Sequence, residues 1–220
     1  VMNVFDVQGH LILGLKNVLA EGFSNLKARA EARLEKARQD NDTEGIGFLE
    51  GVLISCEAMK ILAGRLADLA AEQADAATDP AEKERLLAIA GRCRHVPMNP
   101  PRDFHEAVQA MWLILVGGLV AHGMVGILAI GRFDQYLYPW YARDRKAGRL
   151  TDGQATRLME ELLIKCAANM MILPYAGKNT GNELGSDSCV PTVGGLDADG
   201  NDAVNELSGI ILDAFTNVKS

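Results

Sequence analysis

Residues Gly131 to Arg149 read GRFDQYLYPWYARDRKAGR, and this stretch decides how the whole chain is interpreted. Five aromatic rings lie between positions 133 and 141, although the chain has only six Phe, four Tyr and two Trp. Seven charged side chains lie in the same stretch. Rings interleaved with charges are typical of a helix with an aromatic core face and a solvated charged face. We therefore predict an amphipathic helix at this position.

The composition is that of a globular protein without a nucleic-acid partner. Of the 220 residues, 48% are apolar and 23% are charged, and the net charge of −7 opposes phosphate binding. The four cysteines are scattered without a CxxC pair, which argues against a zinc site and favours a reducing, cytoplasmic location. Nucleotide fingerprints, P-loops and HExxH motifs are absent from the sequence, so we predict neither a bound metal nor a bound nucleotide.

Met111 to Gly131 carries no formal charge over 21 residues, a length that would cross a bilayer. Five glycines interrupt this segment, and neither flank carries the basic residues that set membrane topology. We therefore predict no membrane contact, but a helix that is buried on all sides by Leu113, breaks near Gly123 and leads into an extended segment. The N-terminus shows no signal-peptide pattern, which also favours the cytoplasm.

Hydrophobic periodicity predicts further helices and one strand. The predicted helices span residues 15–38, 44–76, 80–92, 152–171 and 203–218, another begins at Phe104, and the β-prone run is Val190–Gly194. The predicted caps are Thr43, Asp79, Asp103, Thr151 with Asp152, and Asp202. Prolines 97, 100 and 101 exclude a helix from the linker at 96–101.

Two polar segments are candidates for an ion-binding or functional loop. Residues 197–202, DADGND, are similar to part of a calcium loop, but the glycine and the distal Glu are in the wrong places, so a turn is favoured over an ion site. Residues 174–187 are rich in Gly, Asn and Ser, and long loops of this kind are often functional. Of the histidines, His105 and His122 fit core or boundary positions, whereas His10 follows a glycine in a loop-like setting.

Three motifs resemble those of the pyruvate formate-lyase-like glycyl radical enzymes. They are CRHVPMNPPRDFHEAVQAMW at 93–112, GRFDQYLYPWYARDRKAGRLT at 131–151, and TVGGLDADGNDAVNELS at 192–208. The resemblance implies a mostly α fold with short β: the helical portion and first strands of a ten-stranded α/β barrel, incomplete in this chain. It also implies one partial domain over 1–220, with helical hairpins at 1–95 and the buried helix, aromatic stretch and first barrel strand at 96–220.

The resemblance also implies how the whole protein would work. Family members store a glycine-centred radical and pass it to a cysteine, which abstracts hydrogen from a small-molecule substrate. The GCxE and RVxGY settings of those two residues are absent from this sequence, so no catalytic residue is expected within it. A radical S-adenosylmethionine activating enzyme would be the partner of the full-length protein, which would be a homodimer.

Five residues are candidates for substrate contact on the strength of this resemblance. His10 matches a loop position that points a polar side chain at substrate in diol-dehydrating members. Ala129 stands where the family often has a serine, so a less polar or carboxylate-bearing substrate is favoured over a diol. Ser186, Ser188 and Cys189 belong to the loop that leads into the first barrel strand. Arg132 and Asp134 are expected to be structural, fixing the aromatic stretch by buried pairing.

Two functions follow from the sequence. The first is a radical lyase of the dehydratase, decarboxylase, or C–N or C–S lyase type, with its catalytic Cys and radical Gly outside this chain. The alternative is a truncated, non-catalytic helical module that binds a partner or oligomerises, because an incomplete barrel would leave the Val190–Gly194 edge unpaired.

Overall fold

The computed structural model describes residues 11–122, 128–168 and 189–218. The described residues form two compact units, one of residues 16–102 with 109–114 and the other of the remainder. The division at residue 95 that the sequence suggested stays a prediction. The elements are β1 (Leu11–Ile12), α1 (Leu15–Gln39), α2 (Thr43–Ala76), α3 (Pro80–His95), α4 (Phe104–His122), β2 (Leu128–Arg132), α5 (Phe133–Lys146), α6 (Asp152–Ala168), β3 (Cys189–Thr192) and α7 (Glu206–Val218). The predicted mostly α fold with short β is confirmed.

Local capping chemistry sets the starts of α2 and α3. Asp79 caps α3 as predicted, because its Oδ1 accepts a hydrogen bond from the backbone N of Ala81 at 3.1 Å. The predicted cap of α2 is wrong by one residue. The carboxylate of Asp42, not the hydroxyl of Thr43, accepts from the backbone N of Gly45 at 2.9 Å, so Thr43 is the first helical residue.

Helix α1 is interrupted at Gly22, which the periodicity did not predict. Gly22 has φ 73° and ψ 159°, a conformation that favours glycine. The interruption lets the backbone N atoms of Phe23 and Ser24 donate to the carbonyls of Pro97 and Met98 at 3.0 and 2.9 Å. A Cβ at Gly22 would lie 2.5 Å from the Met98 carbonyl oxygen, so the close approach also requires glycine.

Helix α4 starts at the predicted residue, but its C-terminal turns are less buried than predicted. Asp103 accepts from the backbone N of Glu106 at 2.7 Å. Burial is nearly complete from Phe104 to Leu115, but Val120 is 71% exposed, so the expectation of burial on all sides is wrong for the last turns. Within the described residues, α4 alone is long and apolar enough to span a bilayer, and half of that stretch is buried inside the protein.

Helix α5 carries the aromatic stretch, but its charged residues do not all face solvent. Phe133, Leu137 and Tyr141 are buried as expected. Asp134 and Asp144 are also buried, at 0% and 2% exposure, which corrects the prediction of a solvated charged face. Asp134 accepts hydrogen bonds from the segment after β3, and Asp144 accepts them from Arg143, Arg149 and the backbone N of Phe104.

Helices α6 and α7 begin with reciprocal side-chain caps. Thr151 and Gln154 exchange hydrogen bonds at the start of α6, where the Thr151 hydroxyl accepts from the backbone N of Gln154 at 3.2 Å. The predicted start of α7 at Ala203 with Asp202 as its cap is wrong. Asn205 caps the helix through the backbone N of Leu207 at 3.0 Å, whereas Asp202 accepts from Val204 in the preceding turn.

The three strands form a parallel sheet in the order β1–β2–β3, with β2 in the centre. Parallel strands need crossover connections, and the helices of the chain fill that role. Among the described residues β3 pairs on one side only, so it is the edge of this sheet. The sheet agrees with the predicted first strands of an α/β barrel.

Candidate functional site

The central strand β2 brings one sequence-predicted site residue, Ala129, to the middle of the sheet. Its Cα pairs with Ile12 on one side and Val190 on the other. Ile130, the next residue, is 1% exposed, so it faces the packed side of the sheet. Ala129 itself is half-buried.

A β-bulge lies directly after Ala129. The register with β3 pairs Ala129 with Val190 and then Gly131 with Pro191, which leaves Ile130 as an extra residue in β2. Gly131 has φ 73°, and a Cβ there would lie 2.7 Å from the Tyr136 hydroxyl. Glycine is therefore required at the bulge, which aligns Arg132 with Thr192 and delivers the chain into α5.

The carboxylate of Asp134 joins the start of α5 to the segment that follows β3. Its Oδ2 accepts from the backbone N of Gly194 at 2.8 Å and from the Ser208 hydroxyl at 2.6 Å. The backbone N and side-chain amide of Gln135 donate to the same carboxylate at 2.9 and 3.1 Å. Four donors compensate for the burial of the charge.

Side chains at the end of β2 and on α5 contact the same segment. The Arg132 guanidinium donates to the Leu196 carbonyl at 2.7 Å, and the Gln135 amide donates to the Ala203 carbonyl at 2.6 Å. Tyr138 donates to Glu206 at 2.6 Å, which raises the pKa of the phenol and lowers that of the carboxyl. Arg132 and Asp134 are thus structural, but each binds the 194–208 segment, which corrects the expectation of buried pairing.

The other predicted site residues lie mostly outside the described part. His10, Ser186 and Ser188 are not among the described residues. Cys189 begins β3, where its Cα pairs with Leu128, one position before the Ala129 row. The structure therefore positions Ala129 and the backbone of Cys189 on adjacent strands, and a direct role for any of the five in substrate contact stays a prediction.

Three of the four cysteines are buried in helices. Cys56, Cys93 and Cys166 are buried in α2, α3 and α6. Burial raises the pKa of the Cys56 and Cys93 thiols, as expected for inert structural cysteines.

Two further polar features have structural explanations. Asp197 accepts hydrogen bonds from the backbone N atoms of Asp199 and Asn201, both at 2.9 Å, so its carboxylate stabilises the predicted turn. An open groove of about 540 Å³ lies beside α5 and α7. Within it Tyr141 donates to Asp152 at 2.9 Å and Tyr138 donates to Glu206 at 2.6 Å. No group of three metal-ligating side chains occurs among the described residues.

Comparison with known proteins identifies the class. The family model for pyruvate formate lyase-like proteins matches residues 2–220. The isethionate sulfite-lyase of Desulfovibrio desulfuricans is 37% identical over 90% of this chain and 24% of its own length. The hydroxyproline dehydratase of Clostridioides difficile, solved with trans-4-hydroxy-L-proline bound, is 34% identical with a TM-score of 0.86 over 96% of this chain and 27% of its own.

The structure of a glycyl radical enzyme from Archaeoglobus fulgidus is 30% identical, with a TM-score of 0.83 over 96% of this chain and 27% of its own. The chain belongs to the pyruvate formate lyase-like family, and its fold is that of the corresponding part of glycyl radical enzymes. It spans about a quarter of the length of the relatives it matches. The suggested resemblance is confirmed.

Proposed function

We propose that the protein containing this chain is a glycyl radical lyase that eliminates water, an amine, sulfite or CO2 from a small organic substrate. The observation that carries the proposal is the family match over residues 2–220, together with the high structural similarity to a dehydratase. The relatives include a sulfite-lyase, dehydratases and an indoleacetate decarboxylase, which sets the range of leaving groups.

In this proposal the described chain forms one wall of the substrate cavity. Ala129, which is half-buried in the central strand of the sheet, would belong to that wall. The Asp134 hydrogen bonds would hold the position of β3 relative to β2 through Gly194. Hydrogen abstraction would be carried out by residues outside this chain, and the segment with Ser186, Ser188 and Cys189, with His10, would complete the cavity.

An apolar residue at Ala129 favours a substrate that presents a hydrocarbon or carboxylate-bearing part to this wall. A serine there would offer one hydroxyl donor and acceptor to a polyol, whereas alanine offers neither. A buried hydroxyl of the substrate left without a partner weakens binding of that substrate. We therefore propose that the substrate is less hydroxylated than glycerol at this position.

The first test is the intact mass of the protein from its native source, followed by anaerobic activation. A radical S-adenosylmethionine activating enzyme is the proposed activator, and the cytoplasm is the proposed location. A mass several times the 23.7 kDa of this chain and a glycine-centred EPR doublet after activation are expected. A mass near that of this chain would instead support a non-catalytic module, and a full-length protein without a doublet would refute the lyase.

The second test addresses the wall. In the activated full-length enzyme, Ala129→Ser should shift the ratio of kcat/KM for glycerol against its preferred substrate by roughly 10-fold toward glycerol. Ala142→Ser, on α5 and outside the sheet, is the matched control and should leave this ratio unchanged. Equal ratios for the two variants would show that Ala129 does not face the substrate.

A further inference from the structure

Arg132 lies on the same face of the sheet as Ala129. Paired residues are consecutive in β3, so positions 190 and 192 belong to one face of the sheet. Neighbours in register on parallel strands share a face, and Ala129 pairs with Val190 whereas Arg132 pairs with Thr192. In a regular strand, positions 129 and 132 would face opposite sides. The extra residue at the bulge brings them to the same side.

This face is accessible at the end of β2. Ala129 and Arg132 are half-buried, and Thr192 is exposed. Arg132 is the last residue of the central strand, and proteins with parallel sheets commonly bind ligands at the carboxyl ends of their strands. The Cα atoms of 129 and 132 lie at most about 10 Å apart, a distance that an arginine side chain and a small organic molecule span together.

The guanidinium of Arg132 is held in place and has N–H donors left over. Its Nη1 donates to the Leu196 carbonyl at 2.7 Å in an exposed hydrogen bond, and its Cζ lies 3.7 Å from where a Cβ at Gly195 would be. The nearby carboxylate of Asp134 is engaged by Gly194 and other donors. Among the described residues no carboxylate pairs with Arg132, and its Nε has no hydrogen-bond partner.

We propose that Arg132 binds the anionic group of the substrate, a carboxylate or a sulfonate, and thereby selects organic acids over neutral alcohols. A planar guanidinium matches the paired oxygens of such a group. The Leu196 carbonyl orients the guanidinium before the substrate binds, which lowers the cost of binding. Ala129, on the same face, would lie beside the uncharged part of the substrate. This inference rests on the proposed function, because it assigns a contact within the same cavity.

The first test measures binding to the full-length protein before activation, so that no reaction takes place. The probes are propionate and ethanesulfonate, with propan-1-ol as a neutral analogue of similar size. In isothermal titration calorimetry the wild type should bind both anions at least about 10-fold more tightly than the alcohol. Arg132→Gln should weaken binding of the anions by about 10-fold or more and leave binding of the alcohol unchanged.

Arg157→Gln is the matched control for the loss of one cation. Arg157 lies on α6, its side chain is 80% exposed, and it forms an ion pair with Glu161 on the same helix. The change should leave the affinities for all three probes as they are in the wild type. Thermal unfolding checks that each variant remains folded.

Thr192→Asp tests the same site without removing Arg132 or its hydrogen bond to Leu196. The two residues are neighbours on adjacent strands, about 4.8 Å apart, so the new carboxylate should pair with Arg132 and weaken anion binding by about 10-fold. Thr192→Asn, of similar size and uncharged, should keep the preference for anions. In the Arg132→Gln background Thr192→Asp should have a clearly smaller effect, because the cation that it blocks is absent.

Two results would overturn the inference. One is a wild-type protein that binds the anions no more tightly than propan-1-ol. The other is an Arg132→Gln variant that is less stable and binds all three probes equally less well, as expected if Arg132 instead pairs with a carboxylate of a further segment of the polypeptide. The proposed reaction fails by a different measurement, the absence of the EPR doublet, so the two failures are distinguishable.

Discussion

The carboxylate of Asp134 is completely buried and accepts hydrogen bonds from four donors. Its donors are the Gly194 amide and the Ser208 hydroxyl, which lie 60 and 74 residues further along the chain, and the adjacent Gln135. One residue of α5 thereby holds the exit of β3 and the first turn of α7. The aspartate of the GRFDQ stretch is therefore a structural residue whose effect is exerted on the edge strand.

Replacing Asp134 with alanine should loosen the segment that follows β3. The change removes one acceptor and leaves buried donors without a partner, at a cost of about 2–4 kcal/mol. Hydrogen exchange measured by mass spectrometry should accelerate in peptides covering 193–206 and stay unchanged in α3. Asp199→Ala, in an exposed turn, is the control. Unchanged protection of 193–206 in the Asp134 variant would contradict this role.

The lowered pKa of Asp144 predicts how the stability of the protein depends on pH. Burial disfavours its charge, but hydrogen bonds from Arg149, from the Phe104 backbone N at 2.7 Å and from Arg143 outweigh burial and hold the pKa below its ordinary value of 3.8. A lowered pKa in the folded state contributes stability above 3.8 that is lost as pH falls through the folded pKa.

Asp144→Asn should therefore lower stability by about 1–3 kcal/mol at pH 7 and by progressively less below pH 4. Thermal unfolding of both proteins between pH 3 and 7 gives the comparison. Asp199→Asn controls for the loss of one carboxylate on the surface. A gap between wild type and Asp144→Asn that stays constant with pH would show that the carboxylate charge is not what stabilises the start of α4.

At the scale of elements, the interruption of α1 is the feature that periodicity missed. Apolar residues recur at helical spacing through Gly22, so the pattern predicts one continuous helix. The actual break exists because the backbone of 97–98 accepts hydrogen bonds from residues 23 and 24. The pairing of a helix with a proline-containing linker is a contact between distant segments, and side-chain periodicity carries no information about it.

Gly22→Ala should destabilise the protein by about 2 kcal/mol or more, because both the positive φ and the contact with the Met98 carbonyl exclude a Cβ. Gly91→Ala in α3 is a matched control with open space around the glycine, and it should stabilise by about 0.5–1 kcal/mol. Chemical unfolding monitored by far-UV circular dichroism measures both. Equal effects of the two substitutions would mean that the break at Gly22 is absent.

At the scale of the whole molecule, the 220 residues expose surface that a closed barrel would cover. The edge strand β3 and Val120 of α4, which is 71% exposed, are two such surfaces. We expect the 220-residue chain, expressed alone, to associate beyond a dimer, because unpaired strand edges and apolar patches both promote association. Light scattering should show large species for this chain but not for the full-length protein. A clean monomer would contradict the expectation.

The sequence by itself determined the helices, most caps and the family. Asp79, Asp103 and Thr151 cap their helices as predicted, because a cap binds a backbone N only two or three residues away. The bulge at Ile130, the break at Gly22 and the burial of Asp134 and Asp144 were decided only by the tertiary structure. Each of them depends on at least one partner that is distant in sequence, such as Phe104 for Asp144 and Gly194 and Ser208 for Asp134, and these partners come together only once the chain has folded.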